Sequence, residues 1–223
     1  STLNDLSTLT ANKSTAIIAM DGGGLGWLLW LTTGKSVPTL GAALGTIALS
    51  KVSESIAWVG KFNISNGAED EVLAFANGQL FSSSAITDNL LDTLSDRRYV
   101  FLRKFVGLSG SYWNDSQCAI AVTSDYSQIE NNRTIDKATR GIYSSLLPSL
   151  NSPIQLNADG TISETTTAYL ESQAGVNLDQ MVRDSELSAY AVTINPAQNV
   201  LATSKIIVVV ELVINGVART IQI

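Results

Sequence analysis

Thr33-Gly34-Lys35-Ser36 matches the close of a Walker A loop, the backbone cradle for nucleotide phosphates. The match stops there. Such a loop needs a leading glycine five positions before the second, so that successive N–H groups can curl around the phosphates. Here that position is Leu29, inside the apolar run WLLWL. Lys35 and Ser36 are therefore read as turn residues. Asp21-Gly22-Gly23-Gly24-Leu25-Gly26 follows a strand-like run, but its glycines lack dinucleotide-fold spacing into a helix, and a tight turn between strands is the reading.

Asp115, Asp125, Glu130 and Asp136 lie close enough in sequence to surround a hard cation, or to flank a scissile bond as in a carboxylate-based hydrolase. They show no calcium-loop alternation, and the chain has no histidine, the commonest proton shuttle near neutrality. Asp125 reads better as a helix cap and Asp115, in WNDS, as a turn former. Cys118 is the single cysteine, so it has neither a disulfide partner in the chain nor a histidine to activate it, and it reads as a small buried thiol. Trp27, Trp30, Trp58 and Trp113 follow no base-stacking pattern and read as core or interface residues. The expectation is a protein that is not an enzyme and uses no cofactor and no metal.

Composition points the same way. With 14 basic and 20 acidic residues the formal charge is −6, which disfavours nucleic acid. Only 15 % of residues are charged and mean hydropathy is +0.17, sparse charge for a lone domain unless partners cover part of the surface or the core is large. The apolar runs are too short to span a bilayer as a helix, so no membrane association is expected. The chain opens on Ser1 rather than methionine, as a processed product or an excised piece would.

The elements that must position these residues read as mixed α/β in one domain, residues 1–223. STAIIAM (14–20) is a strand candidate, and WLLWLTT (27–33) a second extended run. From Pro38, Leu40, Leu44, Ile47, Val52 and Ile56 recur at helical spacing, and acidic residues at 69–71 open a modest helix around Val72 and Phe75. YVFLRKFVG (99–107) and AIAV (119–122) read as strands. Ile135, Ala138, Ile142 and Leu146 form one helical stripe, with Arg133, Asp136, Lys137 and Arg140 around it. Residues 164–184 read as a helix with a break at Gly175, and AYAVTI (189–194) as a strand. KIIVVVELVI (205–214), apolar on both faces except Lys205 and Glu211, reads as a central strand of one sheet shared with YVFLRKFV and AYAVTI. After Asn215-Gly216, VARTIQI alternates and either folds back as a hairpin or runs outward.

One ordered set of features is more specific than any of these: RRYVFLRKFVGLSGSYWNDSQC (97–118), SDYSQIENNRTIDKATRGIYSSLLPSLNSPIQLNADGTI (124–162) and LDQMVRDSELSAYAVTINPAQNVLATSKIIVVVELVINGVARTIQI (178–223). Together these segments resemble the C-terminal region of contractile tail sheath proteins of phages, prophages and related injection systems. The resemblance covers about residues 95–223 and, more loosely, 38–94. Residues 1–37 match nothing distinctive. It implies a mixed sheet packed against helices, in a structural subunit that polymerises around an inner tube and contracts by subunit rearrangement. Its partners would be neighbouring copies as a homo-oligomer, the inner tail tube protein, and baseplate or terminator proteins, in a phage-tail-like particle assembled in the bacterial cytoplasm. Arg133, Lys137, Arg140, Val217, Arg219, Ile221 and Ile223 would then be interface residues. Another structural protein of phages or secretion systems with the same core is the alternative reading.

Overall fold

The run at 14–20 forms two short strands, β1 (Ala16–Ile17) and β2 (Ala19–Asp21), in the computed structural model of the chain, which describes residues 3–65, 67 and 69–219. The chain divides into two compact units, Ser1–Asn132 and Arg133–Ile223. In the first unit, Gly24 and Gly34 bound a helix, α1 (Leu25–Thr33), followed by α2 (Leu40–Leu49), strand β3 (Leu73–Phe75) and α3 (Asp88–Asp96). Strands β4 (Tyr99–Val100), β5 (Leu102–Arg103) and β6 (Tyr112–Trp113) follow. β1 pairs with β4 in parallel; β2 with β3 and β5 with β6 are antiparallel. Between these pairs lies a core of Ala19, Ile56, Val100, Phe101, Leu102 and Trp113, each at most 1 % exposed. The Trp113 indole N–H donates to Thr46 Oγ1 at 3.3 Å, so the largest core ring keeps its polar handle satisfied.

Helix α4 (Ile129–Leu146) contains the junction of the two units, Asn132–Arg133. The second unit continues with α5 (Glu164–Arg183), strand β7 (Leu187–Thr193), the single turn α6 (Val200–Thr203) and strand β8 (Val209–Ile214). α5 starts where the Ser163 side chain accepts from the Thr166 N–H, and Arg183 sits in its last turn against the negative end of the helix dipole. Its buried positions Thr167, Leu170, Ala174, Leu178 and Met181 fall at helical spacing on one stripe.

Several expectations are corrected here. WLLWLTT is helical, not extended: it is rich in leucine, a strong helix former, and Gly34 at φ 62° closes it by donating its N–H to the Trp30 carbonyl. TGKS thus sits at a helix C-terminus, where carbonyls rather than N–H groups face outward. α2 stops at Leu49, so Val52 and Ile56 lie beyond it. Residues 73–75 are strand, not helix, because Asp70 takes a left-handed φ of 56° and Leu73–Phe75 then ladders onto β2. YVFLR is two strands, because the Phe101 N–H goes to Asn114 Oδ1 at 2.8 Å instead of to a neighbouring strand. AIAV makes one bridge, Ala119 to Ala11; the Ile120 N–H turns back onto the Cys118 carbonyl. α3, which the sequence reading passed over, is marked by Thr87, whose side chain accepts from the Leu90 N–H.

The single sheet is replaced by separate two-stranded sheets, with β7 and β8 pairing only each other among the described residues. β8 begins at Val209 rather than Lys205 and is half-buried on one side and exposed on the other. α5 is unbroken at Gly175, where the missing side chain leaves room for Tyr190, whose hydroxyl would lie 2.9 Å from an added Cβ.

Candidate functional site

The β7–β8 pair is built by alternation. Tyr190, Val192, Val210, Leu212 and Ile214 pack inward with Leu178, Met181, Leu187 and Ala138. Register pairs Tyr190 with Leu212 and Val192 with Val210, so the intervening partners Ala189 with Val213, Ala191 with Glu211 and Thr193 with Val209 face outward. All six outward residues are exposed. Val209 and Val213 are 53 % and 54 % exposed and stand across from Thr193 and Ala189, with the Glu211–Ala191 pair between them. This leaves a mostly apolar outer face on a sheet whose two outer edges have no strand partner among the described residues. Isolated two-stranded pairs are marginal in water, and free edges of this kind template further pairing.

Side chains hold the pair in place from one side. The Tyr190 hydroxyl donates to Asp179 Oδ1 at 2.6 Å, and that bond, with the nearby carboxylate charge and burial, pushes the phenol up to about 12. Glu171 accepts the Ile194 N–H at 2.8 Å where β7 ends. Asn215 donates to the Ser185 carbonyl at 2.5 Å and accepts from the Ser188 hydroxyl at 2.8 Å, fixing the exit of β8. Val217, 37 % exposed, and the exposed Arg219 follow without strand structure. Ile221 and Ile223 lie outside the described residues.

On α4, Arg133, Lys137 and Arg140 occupy successive turns but differ in setting. Arg133 is half-buried and Arg140 is exposed. Lys137 Nζ pairs with Glu186 Oε2 at 2.5 Å, and the glutamate side chain is only 10 % exposed. This pair ties α4 to the start of β7, a role the sequence reading, which placed Lys137 at an interface, did not consider. Ala138 and Ile142 point into the core as the stripe implied.

The acidic residues weighed for catalysis are dispersed in role. Asp115 accepts the Ser116 N–H at 2.7 Å, the Asp125 carbonyl accepts from the Asn131 amide at 3.1 Å, and Glu130 is 1 % exposed in the core. A different set gathers at the start of α1. Asp21 Oδ1 accepts the N–H groups of Gly23, Gly24 and Asp70 at 3.0, 2.9 and 3.2 Å, and Glu69 accepts that of Leu25 at 3.2 Å. Burial pushes the Asp21 carboxyl up, but these donors and a hydrogen bond shared with Glu69 outweigh it and hold it below 3.8. Asp70, 8 % exposed, is pushed up to about 6 by burial first and then by the charges of Asp21 and Glu69. Among the described residues no three His, Cys, Asp or Glu side chains are arranged to hold a metal ion. No helix there is long and apolar enough to cross a membrane. Cys118 is buried, with burial pushing its thiol up.

Residues 3–117 match the model "DUF2586, N-terminal domain", and residues 125–223 match "DUF2586, C-terminal domain". No curated protein matches the chain. Among solved structures, the fold is similar to the sheath complex of an extracellular contractile injection system, PVC, in its contracted state. The TM-score there is 0.64 at 15 % identity, over 100 % of this chain and 60 % of that one. It is also similar to the baseplate of the anti-feeding prophage, AFP, with a TM-score of 0.50 at 19 % identity over 65 % of this chain and 40 % of that one. The mixed α/β fold is thus shared with contractile injection system components, and the chain spans less than two-thirds of the length of either. The chain belongs to the DUF2586 family.

Proposed function

We propose that this DUF2586 chain is a structural subunit of a contractile tail sheath, polymerising around an inner tube in a phage-tail-like particle and contracting by rearrangement of its copies. The observation that carries the reading is the β7–β8 pair: two edges with no strand partner among the described residues and a mostly apolar outer face, at the C-terminal end of a fold similar to a sheath component. A third strand from a neighbouring copy would satisfy an edge's unpaired N–H and C=O groups and link the two chains without any bond being made or broken. The sequence from Val217 onward alternates as such a strand requires. Motion would then come from two packings of the same subunits joined by strands that stay paired. Arg140, exposed on α4, supplies a cation toward an acidic tube or a neighbouring copy. The particle would assemble in the bacterial cytoplasm, with baseplate or terminator proteins closing its ends.

A baseplate role is the second reading, favoured by the similarity to the AFP baseplate over 65 % of the chain. Electron microscopy of the purified full-length protein separates the two: hollow cylinders support the sheath, closed rings alone the baseplate. Deleting 217–223, or replacing Ile221→Pro, should leave circular dichroism unchanged and shorten the cylinders, since proline removes a ladder donor. Cylinders of normal length from both variants would refute strand addition by this segment.

A further inference from the structure

Helix capping does not account for the acidic side chains gathered at the start of α1. Asp21 Oδ1 is taken by the N–H groups of Gly23, Gly24 and Asp70, and Glu69 accepts that of Leu25. The positive end of a helix offsets roughly half a unit charge, and three carboxyl groups meet here. Two of them are almost wholly buried, Asp21 at 6 % and Asp70 at 8 % exposed. Asp21 Oδ2 and Asp70 Oδ1 are both buried with no hydrogen-bond partner among the described residues. An ionised oxygen left in that state is costly unless a counter-charge stands against it.

The chain turns these oxygens toward one another. A Cβ added at Gly24 would lie 2.3 Å from Asp21 Oδ2 and 2.3 Å from Glu69 Oε2, so the two oxygens converge beside a residue that must lack a side chain. Asp70 is close enough for the charges of both to act on its carboxyl. Among the described residues no three side chains enclose a point as they stand, but these two oxygens are within reach of a single ion and Asp70 stands beside them.

Carboxylates in contact need a proton or a cation between them. Asp21 keeps no proton at neutrality, because its N–H donors hold it below 3.8, and Asp70, pushed up to about 6, is mostly ionised there too. No lysine or arginine is among the groups acting on Asp70, and the next acid along the chain, Glu71, already holds Lys104 at 2.5 Å.

We propose that Asp21, Glu69 and Asp70 bind one calcium ion through Asp21 Oδ2, Glu69 Oε2 and Asp70 Oδ1, with water completing its shell on the half-exposed Glu69 side. Hard carboxylate oxygens suit calcium or magnesium and disfavour the softer transition metals. Calcium fits better, since it accepts irregular sets of oxygens at about 2.3–2.6 Å, whereas magnesium demands a near-regular octahedron. Asp21 ends β2, residues 69 and 70 lead into β3, and Glu69 holds the first turn of α1, so the ion ties the strand pair to that helix.

The test uses the full-length protein, dialysed against chelator and returned to buffer at pH 7.5 with a constant magnesium background that keeps screening of surface charge unchanged. Calcium chloride is titrated in by calorimetry and during thermal unfolding. One-to-one saturable binding is expected, with Tm raised by roughly 5–11 °C at calcium about a hundredfold above Kd. Glu69→Gln and Asp70→Asn, each close in shape to the original and checked by circular dichroism, should weaken binding about tenfold or more. Glu71→Gln removes the same charge from an exposed side chain and should leave binding unchanged. A Tm that responds to acid but not to calcium overturns the site and leaves the oxygens to a shared proton. Calcium binding that Glu71→Gln weakens as much as Glu69→Gln overturns it as well. The site lies within the first unit, so its failure leaves the sheath reading standing.

Discussion

Replacing Asp70→Asn should stabilise the protein at neutral pH and flatten its response to acid. The carboxyl of Asp70 is 8 % exposed, and its Oδ1 is buried without a hydrogen-bond partner. Burial and the charges of Asp21 and Glu69 raise its pKa from 3.8 to about 6. The folded state therefore binds this proton more tightly than the unfolded state. Stability from this group is complete below about pH 4, falls as pH rises toward 6 and beyond, and stays lost at neutrality. A shift of about two units corresponds at most to about 3 kcal/mol; relaxation and water entry bring the expected effect to about 1–2 kcal/mol. About half of this, roughly 0.5–1 kcal/mol, is recovered on going from pH 7.5 to pH 5, which for a chain of this length is a rise of roughly 1–4 °C in Tm. Asp21, held below 3.8, loses its contribution only at lower pH and does not cross this window. Asn has nearly the same shape, carries no charge and tolerates the left-handed φ of 56° at this position better than most residues. The assay is thermal and urea unfolding of both proteins between pH 5 and 7.5. A wild-type stability that is flat or rises over that range, or an Asp70→Asn variant no more stable than wild type at pH 7.5, would refute the reasoning.

Three further outcomes are expected. Gly78→Ala should cost about 1–3 kcal/mol and change tryptophan emission, because Gly78 has φ 82° and an added Cβ would lie 2.1 Å from the Trp30 ring, which stacks on Trp27; an effect within 0.5 kcal/mol contradicts this. Lys137→Ala should destabilise by about 1 kcal/mol, after allowance for screening on the lysine's open side, since it strips the nearly buried Glu186 of its cation, whereas Arg140→Ala should stay within about 0.5 kcal/mol; equal urea midpoints for the two variants would contradict the assignment. Trp113→Ala should cost about 3–5 kcal/mol by opening a cavity and removing the hydrogen bond to Thr46, measured by the same unfolding curves.

What the sequence by itself determined is the set of elements whose periodicity is long and one-sided. α4 and α5 each repeat an apolar stripe over several turns, and β7 has flanking turn formers, so local pattern and burial agree. The ordered motifs of the second half also carried the resemblance to sheath proteins, because sequence order survives where single motifs do not discriminate. Tertiary structure decided the rest. WLLWLTT is apolar on every side, so neither period nor polarity marks it as helix, and only the closing glycine and its exposure in the folded chain do. KIIVVVELVI reads as a strand buried on both faces, yet burial depends on what stands opposite: α5 covers one side of β8, and nothing among the described residues of its sheet covers the other. Asp21, Glu69 and Asp70 are separated by nearly fifty residues and meet only because β2 and β3 pair, bringing both loop ends to the start of α1. Contacts between distant residues are set by strand register, which a short apolar run shares with many alternatives.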